Sequence, residues 1–201
     1  MTYFRLSLIT TLLTLCMIML GAFVRLNDAG LGCPDWPGCY GHVGVPDEHH
    51  EVHKANVQYP ERPVETHKAW KEMQHRYLGG ILLILTFVLM VWGYKRYQRG
   101  DTSDVVLPFV IFGVICFQAL LGMWTVTWKV MPLVVTAHLL VGLLTLCLLV
   151  WLCLQHSGRL RKAPVVRLVQ YKAIALAAMV MLCVQIFLGG WTSTNYAAVA
   201  C

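Results

Sequence analysis

A carboxylate, an imidazole and a guanidinium fall within five residues at Glu72-Met73-Gln74-His75-Arg76, where a polar loop runs into an apolar helix. On a helix Glu72 and His75 stand about one turn apart on one face, and Gly79 follows four residues past His75 on that same face. Part of the pattern recurs at His138, with Gly142 four residues on, inside another apolar run. Two His-x-x-x-Gly helices suit a flat macrocycle with a central metal. Each imidazole ligates the metal, and each glycine removes the side chain that would otherwise strike the ring. Ionisable side chains inside a membrane are costly and mark functional sites, so the matched pair reads as a site rather than as unrelated packing.

The elements that must position these residues are membrane helices. The chain has 201 residues, 58% hydrophobic and 13% charged, with a mean hydropathy of +0.62. Charge lies well below the ~25% of an ordinary soluble domain, which predicts an all-α polytopic membrane protein. Leu6–Val24 is 19 residues without a charge, closed directly by Arg25 and followed by no small-x-small cleavage site, so it reads as an uncleaved first span. Further spans are predicted over Tyr77–Tyr94 and Val105–Trp128. A fourth follows the link around Lys129 and Pro132 and ends at Gln155, and a fifth runs over Ala173–Trp191.

The net charge of +6 is unevenly placed. Lys95, Arg96 and Arg99 follow the second span, and Arg159, Arg161, Lys162, Arg167 and Lys172 follow the fourth, whereas the link after the third holds only Lys129. The positive-inside rule puts the N-terminus and both basic links in the cytoplasm and the long loop 27–74 outside. The charge is thereby assigned to membrane topology, with no nucleic-acid partner expected. His75 precedes Lys95 by 20 residues and His138 precedes Arg159 by 21. At ~1.5 Å per residue both imidazoles sit ~30 Å from their cytoplasmic anchors, near the outer face. The second and fourth spans run in the same direction, so their histidines meet at one level. That geometry suits one bis-imidazole site.

Cys16, Cys116, Cys147, Cys153 and Cys183 lie in apolar runs, where a thiol is a small hydrophobe. Cys33 and Cys39 stand six apart in a loop stiffened by Pro34 and Pro37, and on the outer side they meet a compartment where disulfides persist. They are the bridge candidate. Asp47–His53 carries His49, His50 and His53 but no periodicity, and reads as a solvated loop rather than a metal site. The chain also repeats itself. Gln118–Thr127 matches Gln185–Thr194 at six of ten positions, and Leu20–Cys33 aligns with Leu188–Cys201 without a gap, sharing five of fourteen. The fifth span thus reads as the first span of a second copy, and the sequence as a fragment of a duplicated protein.

These residues resemble the haem A synthase family. The resemblance is carried by Gly21-Ala22-Phe23-Val24-Arg25-Leu26, by Gly30-Leu31-Gly32-Cys33-Pro34-Asp35-Trp36-Pro37-Gly38-Cys39, and by Glu72-Met73-Gln74-His75-Arg76. Thr136-Ala137-His138 and Leu188-Gly189-Gly190-Trp191-Thr192-Ser193-Thr194-Asn195-Tyr196-Ala197-Ala198 continue it. It implies an antiparallel four-helix transmembrane bundle over residues 1–156, a basic cytoplasmic linker at 157–172, and the first helix of a pseudosymmetric second bundle at 173–201. It implies oxidation of a ring methyl of haem O to the formyl of haem A, with His75 and His138 as ligands of substrate haem and a Cys33–Cys39 disulfide. Haem b belongs to a second histidine pair that this sequence does not carry, so this chain alone is not expected to be a complete enzyme. Glu72 is implied in catalysis, as a base or as a stabiliser of positive charge, against a reading as support for His75. Arg25 and Arg76 are candidates for the haem propionates, against interfacial snorkelling. Expected partners are haem O, the lipid membrane, haem O synthase and terminal oxidase assembly, with a homo-oligomer left open, in the cell inner membrane. A b-type electron-transfer cytochrome would explain the histidines but neither Glu72 nor the cysteine loop. A membrane thiol–disulfide oxidoreductase would need a second cysteine pair or a Cys-x-x-Cys. An assembly scaffold leaves the histidines unexplained.

Overall fold

The computed structural model describes residues 2–101, 105–157 and 171–197. Among them are six helices: α1 Tyr3–Leu26, α2 His49–Gln58, α3 Thr66–Gln98, α4 Val106–Thr127, α5 Pro132–His156 and α6 Lys172–Thr194. All but α2 are long and apolar enough to cross a membrane, and no strand occurs among the described residues. The protein is an all-α, multi-pass membrane protein. Most of the basic linker expected at 157–172, and Cys201 at the end of the repeat, lie outside the described residues.

Helices α1, α3, α4 and α5 close into a ring in which each touches the next and α5 returns to α1. Helix α6 packs on α5. Apolar burial alone does not hold such a ring in lipid, whose tails are as apolar as leucine, so close approach must come from small residues. Helix α1 supplies them: Ser7, Thr10, Thr11 and Thr14 are buried. Thr10, Thr11 and Thr14 return their hydroxyls to the carbonyls of Leu6, Ser7 and Thr10 at 2.7–2.9 Å, which leaves no donor stranded. Thr86 on α3 and Thr145 on α5 do the same. At the end that holds the N-terminus, Tyr3, Leu6, Leu89, Leu107, Ile111, Leu149 and Leu152 make a denser apolar cluster. Lys129 and Val130 both adopt left-handed backbone, with φ of 48° and 51°, which lets α5 double back on α4 after a short link.

The first loop ends at Glu65, because α3 begins at Thr66 and runs unbroken for 33 residues. At ~1.5 Å per residue α3 is ~50 Å long, longer than a ~30 Å hydrocarbon core, so its polar first turns stand clear of the lipid. The stretch around His49, His50 and His53 corrects the expectation of a solvated loop: it opens α2. Only Ala55 of this helix is buried, so no apolar stripe announced it. Ala55 inserts among Cys33, Cys39, Tyr40, Val45, Ala69 and Met73, a small second core between the loop and the start of α3. Among the described residues no group of three or more His, Cys, Asp or Glu is placed to hold a metal.

Candidate functional site

His75 on α3 and His138 on α5 come from diagonal members of the ring and meet inside it. Their ring centroids are 6.5 Å apart, with planes at 68°. Each imidazole lies against a glycine of the neighbouring helix. A Cβ at Gly21 on α1 would stand 2.9 Å from His75 Cε1, and one at Gly122 on α4 would stand 3.2 Å from His138 Cε1. Nothing larger than hydrogen fits behind either ring without moving it. The Nδ1 atoms of both rings are buried and have no hydrogen-bond partner. An orphaned buried polar atom ordinarily costs ~1–3 kcal/mol, so two at one point call for a functional explanation. Two imidazoles on opposite sides of one metal ion, with bonds of ~2 Å, hold their centroids about 6 Å apart. The residues present therefore fit a bis-imidazole metal group, a haem included.

Glu72 and Arg76 bind the cysteine loop to α3 beside this pair. Glu72 is 4% exposed and is the one acidic residue buried among the described residues. Its Oε2 accepts the Cys33 N–H at 2.9 Å, and its Oε1 pairs with Arg76 one turn along the helix. Arg76 also donates to the carbonyls of Asp35 at 2.8 Å, Pro37 and Gly38. The close approach of the loop requires glycine: a Cβ at Gly32 would meet the Lys68 backbone at 2.7 Å. Cys33 and Cys39, both fully buried, are joined in a disulfide. Asp35 closes the loop by accepting the N–H groups of Tyr40 and Gly41 at 2.6 and 2.7 Å. Burial pushes the Tyr40 phenol above its ordinary pKa, with Arg62 pulling it back in part. The remaining described cysteines, Cys16, Cys116, Cys147, Cys153 and Cys183, are free thiols.

The other residues singled out in the sequence are placed differently from one another. A Cβ at Gly79 would meet Met17 Cε at 3.3 Å, and one at Gly142 would meet Gln118 Nε2 at 3.0 Å. These two glycines thus receive side chains of neighbouring helices, while the imidazoles rest on Gly21 and Gly122. Sequence reading missed that pair as site residues, although both windows had been marked as repeats. Arg25 lies at the end of α1 and bonds Asp28, the Tyr196 hydroxyl at 3.1 Å and the Ser193 carbonyl at 2.6 Å, so it ties α1 to the end of α6. Its guanidinium also stacks 4.5 Å from the Tyr196 ring centroid. A groove of about 360 Å³ on α3, lined by Phe87, Val88, Val91, Trp92, Lys95 and Arg99, shares no residue with the histidine site.

Comparison with known proteins places the chain. It is 47% identical over 193 residues to the heme A synthase of Shewanella oneidensis, covering 96% of this chain and 57% of that protein. It is 27% identical over 202 residues to the heme A synthase of Shouchella clausii, covering 98% of this chain and 61% of that one. It is 30% identical over 143 residues to the heme A synthase of Bacillus mycoides, covering 70% of this chain and 40% of that one. The chain thus spans about three-fifths of the length of the first relatives it matches. No solved structure matches it. The model of a family described as cytochrome oxidase assembly protein, COX15-CtaA, matches residues 4–201, and the chain belongs to that family.

Proposed function

We propose that this chain forms the substrate-binding bundle of a haem A synthase, in which a ring methyl of haem O is oxidised through the alcohol level to the formyl of haem A. One observation carries the reading: two imidazoles 6.5 Å apart, each backed by a glycine and each with a buried, unpartnered Nδ1. His75 and His138 are the residues that would hold the iron of the substrate. Haem iron supplies redox chemistry that side chains lack. The protein's part is placement. Gly21 and Gly122 let both rings lie in the bundle interior rather than in lipid. Glu72 sets a fixed negative charge one turn from His75, where it can stabilise positive charge developing beside the macrocycle. With both oxygens already accepting from Cys33 and Arg76, it suits that electrostatic task better than proton abstraction.

Of the two arginines, Arg76 is engaged by three loop carbonyls. Arg25 keeps 23% of its side chain exposed and is the better partner for a propionate. We assign the N-terminus to the cytoplasm, loop 27–65 to the outer side of the cell inner membrane, residues 1–156 to the first bundle and α6 to the start of a second. Haem b is assigned to that second bundle, and haem O synthase and terminal oxidase assembly are the expected partners. The experiment is an absorption spectrum of the purified chain with added haem O, beside His75→Ala and His138→Ala, followed by haem extraction from membranes. A low-spin spectrum lost in either variant, with the double variant little worse, is expected of two residues acting as one unit. A normal low-spin spectrum in His138→Ala would refute the shared site.

A further inference from the structure

The helix pair α1/α3 and the helix pair α4/α5 interlock by one rule. In each, the histidine of one helix lies on a glycine of its neighbour, and the residue four positions before that glycine lies on the glycine four positions after the histidine. His75 meets Gly21 while Met17 meets Gly79, and His138 meets Gly122 while Gln118 meets Gly142. The packing is matched but the chemistry is not. Gln118 Nε2 donates to the His138 carbonyl at 2.8 Å, a contact that an apolar Met17 cannot make to His75. That carbonyl is the one the helix ladder gives to the Gly142 N–H, so it accepts twice. Gly142 makes room for the second donor, since a Cβ there would come within 3.0 Å of the Gln118 amide. The same Gln-x-x-x-Gly sequence recurs at Gln185 and Gly189, where Gln185 is exposed and nothing lies within 4 Å of the added Cβ. The motif alone therefore does not produce the arrangement; a facing His-x-x-x-Gly does.

We infer that Gln118 is a positioning residue for His138: its amide fixes the register of α5 against α4 and so holds the His138 imidazole opposite His75, while the His75 helix has no such clamp. The inference rests on the bis-imidazole reading above. His75 is then the imidazole that would yield first to an external ligand. One interhelical hydrogen bond in a membrane protein corresponds to about a five-fold change in equilibrium.

The test compares the haem-loaded chain with Gln118→Met, which copies the side chain at position 17, and with Gly142→Ala, which displaces the amide by a few tenths of an ångström without touching an imidazole. Carbon monoxide added to the reduced protein reports the fraction from which one imidazole has left. Because unclamped His75 already opens about five times as often as His138, both variants should raise that fraction by just under about two-fold, with a matching rise in high-spin haem, and the double variant should go no further than either single one. Unchanged spectra and carbon monoxide reactivity, with only a lowered unfolding temperature of the haem-free protein, would reduce Gln118 to packing and overturn the inference while leaving the histidine site standing. Absence of a His75- and His138-dependent low-spin spectrum in the unaltered chain would overturn both.

Discussion

Replacing Glu72 with glutamine separates an anchoring carboxylate from a merely polar one. The carboxylate accepts at both oxygens, from the Cys33 N–H at 2.9 Å and from the Arg76 guanidinium. An amide offers one acceptor oxygen and one NH2 group, so either orientation sets a donor against a donor. Both partners are shielded, with side-chain exposures of 6% for Glu72 and 11% for Arg76. Breaking a buried ion pair from one side costs ~3–5 kcal/mol, and the lower figure applies here because Arg76 keeps its loop carbonyls. About 3 kcal/mol is roughly a hundred-fold rise in the open population of the loop. Because Cys33 and Cys39 are fully buried when the loop is seated, that population controls access to their disulfide. The assay is the rate at which a dilute water-soluble reductant opens the disulfide in membranes, followed by thiol alkylation. Glu72→Gln should react about a hundred-fold faster, and Arg76→Met combined with it should react faster still, because the carbonyls of Asp35, Pro37 and Gly38 then lose their donor as well. A wild-type rate of reduction in Glu72→Gln would remove Glu72 from the anchor.

The three repeat-related glycines should respond in a fixed order. Gly21→Ala drives a methyl into His75, Gly122→Ala presses less on His138, and Gly189→Ala meets nothing, so haem content should fall most, less and not at all, on an overpacking scale of ~1–3 kcal/mol. A loss at Gly189→Ala equal to that at Gly21→Ala would break the link between imidazole contact and haem retention. Membrane-impermeant maleimide applied to intact cells should label neither Cys33 nor Cys39 until a reductant is added, and labelling of Cys33 before reduction would contradict the bridge. Arg25→Gln should loosen the ends of α1 and α6 by under ~1 kcal/mol, because its partners are exposed, which an inter-helix cross-link between the two ends would detect.

What the sequence determined by itself are properties that run along one dimension. The length of Leu6–Val24, the basic residues after the second and fourth spans, and the nearly equal spacing of His75 and His138 from those residues follow from hydropathy, charge and helical rise, none of which needs a neighbour. The five spans and the loop disulfide were legible for that reason. Tertiary structure decided whatever depends on how helices rotate against one another. The His-x-x-x-Gly spacing puts Gly79 and Gly142 on the faces of the two histidines, and only the packing shows that Gly21 and Gly122, on other helices, back the imidazoles. That Arg76 donates to the loop carbonyls of Asp35, Pro37 and Gly38 was likewise a matter of how the loop folds back on α3. Helix α2 escaped notice because a single buried alanine gives no periodic signal. Gln118 was visible only as half of a repeat, since its partner is a main-chain carbonyl 20 residues away, and backbone groups all read alike in a sequence.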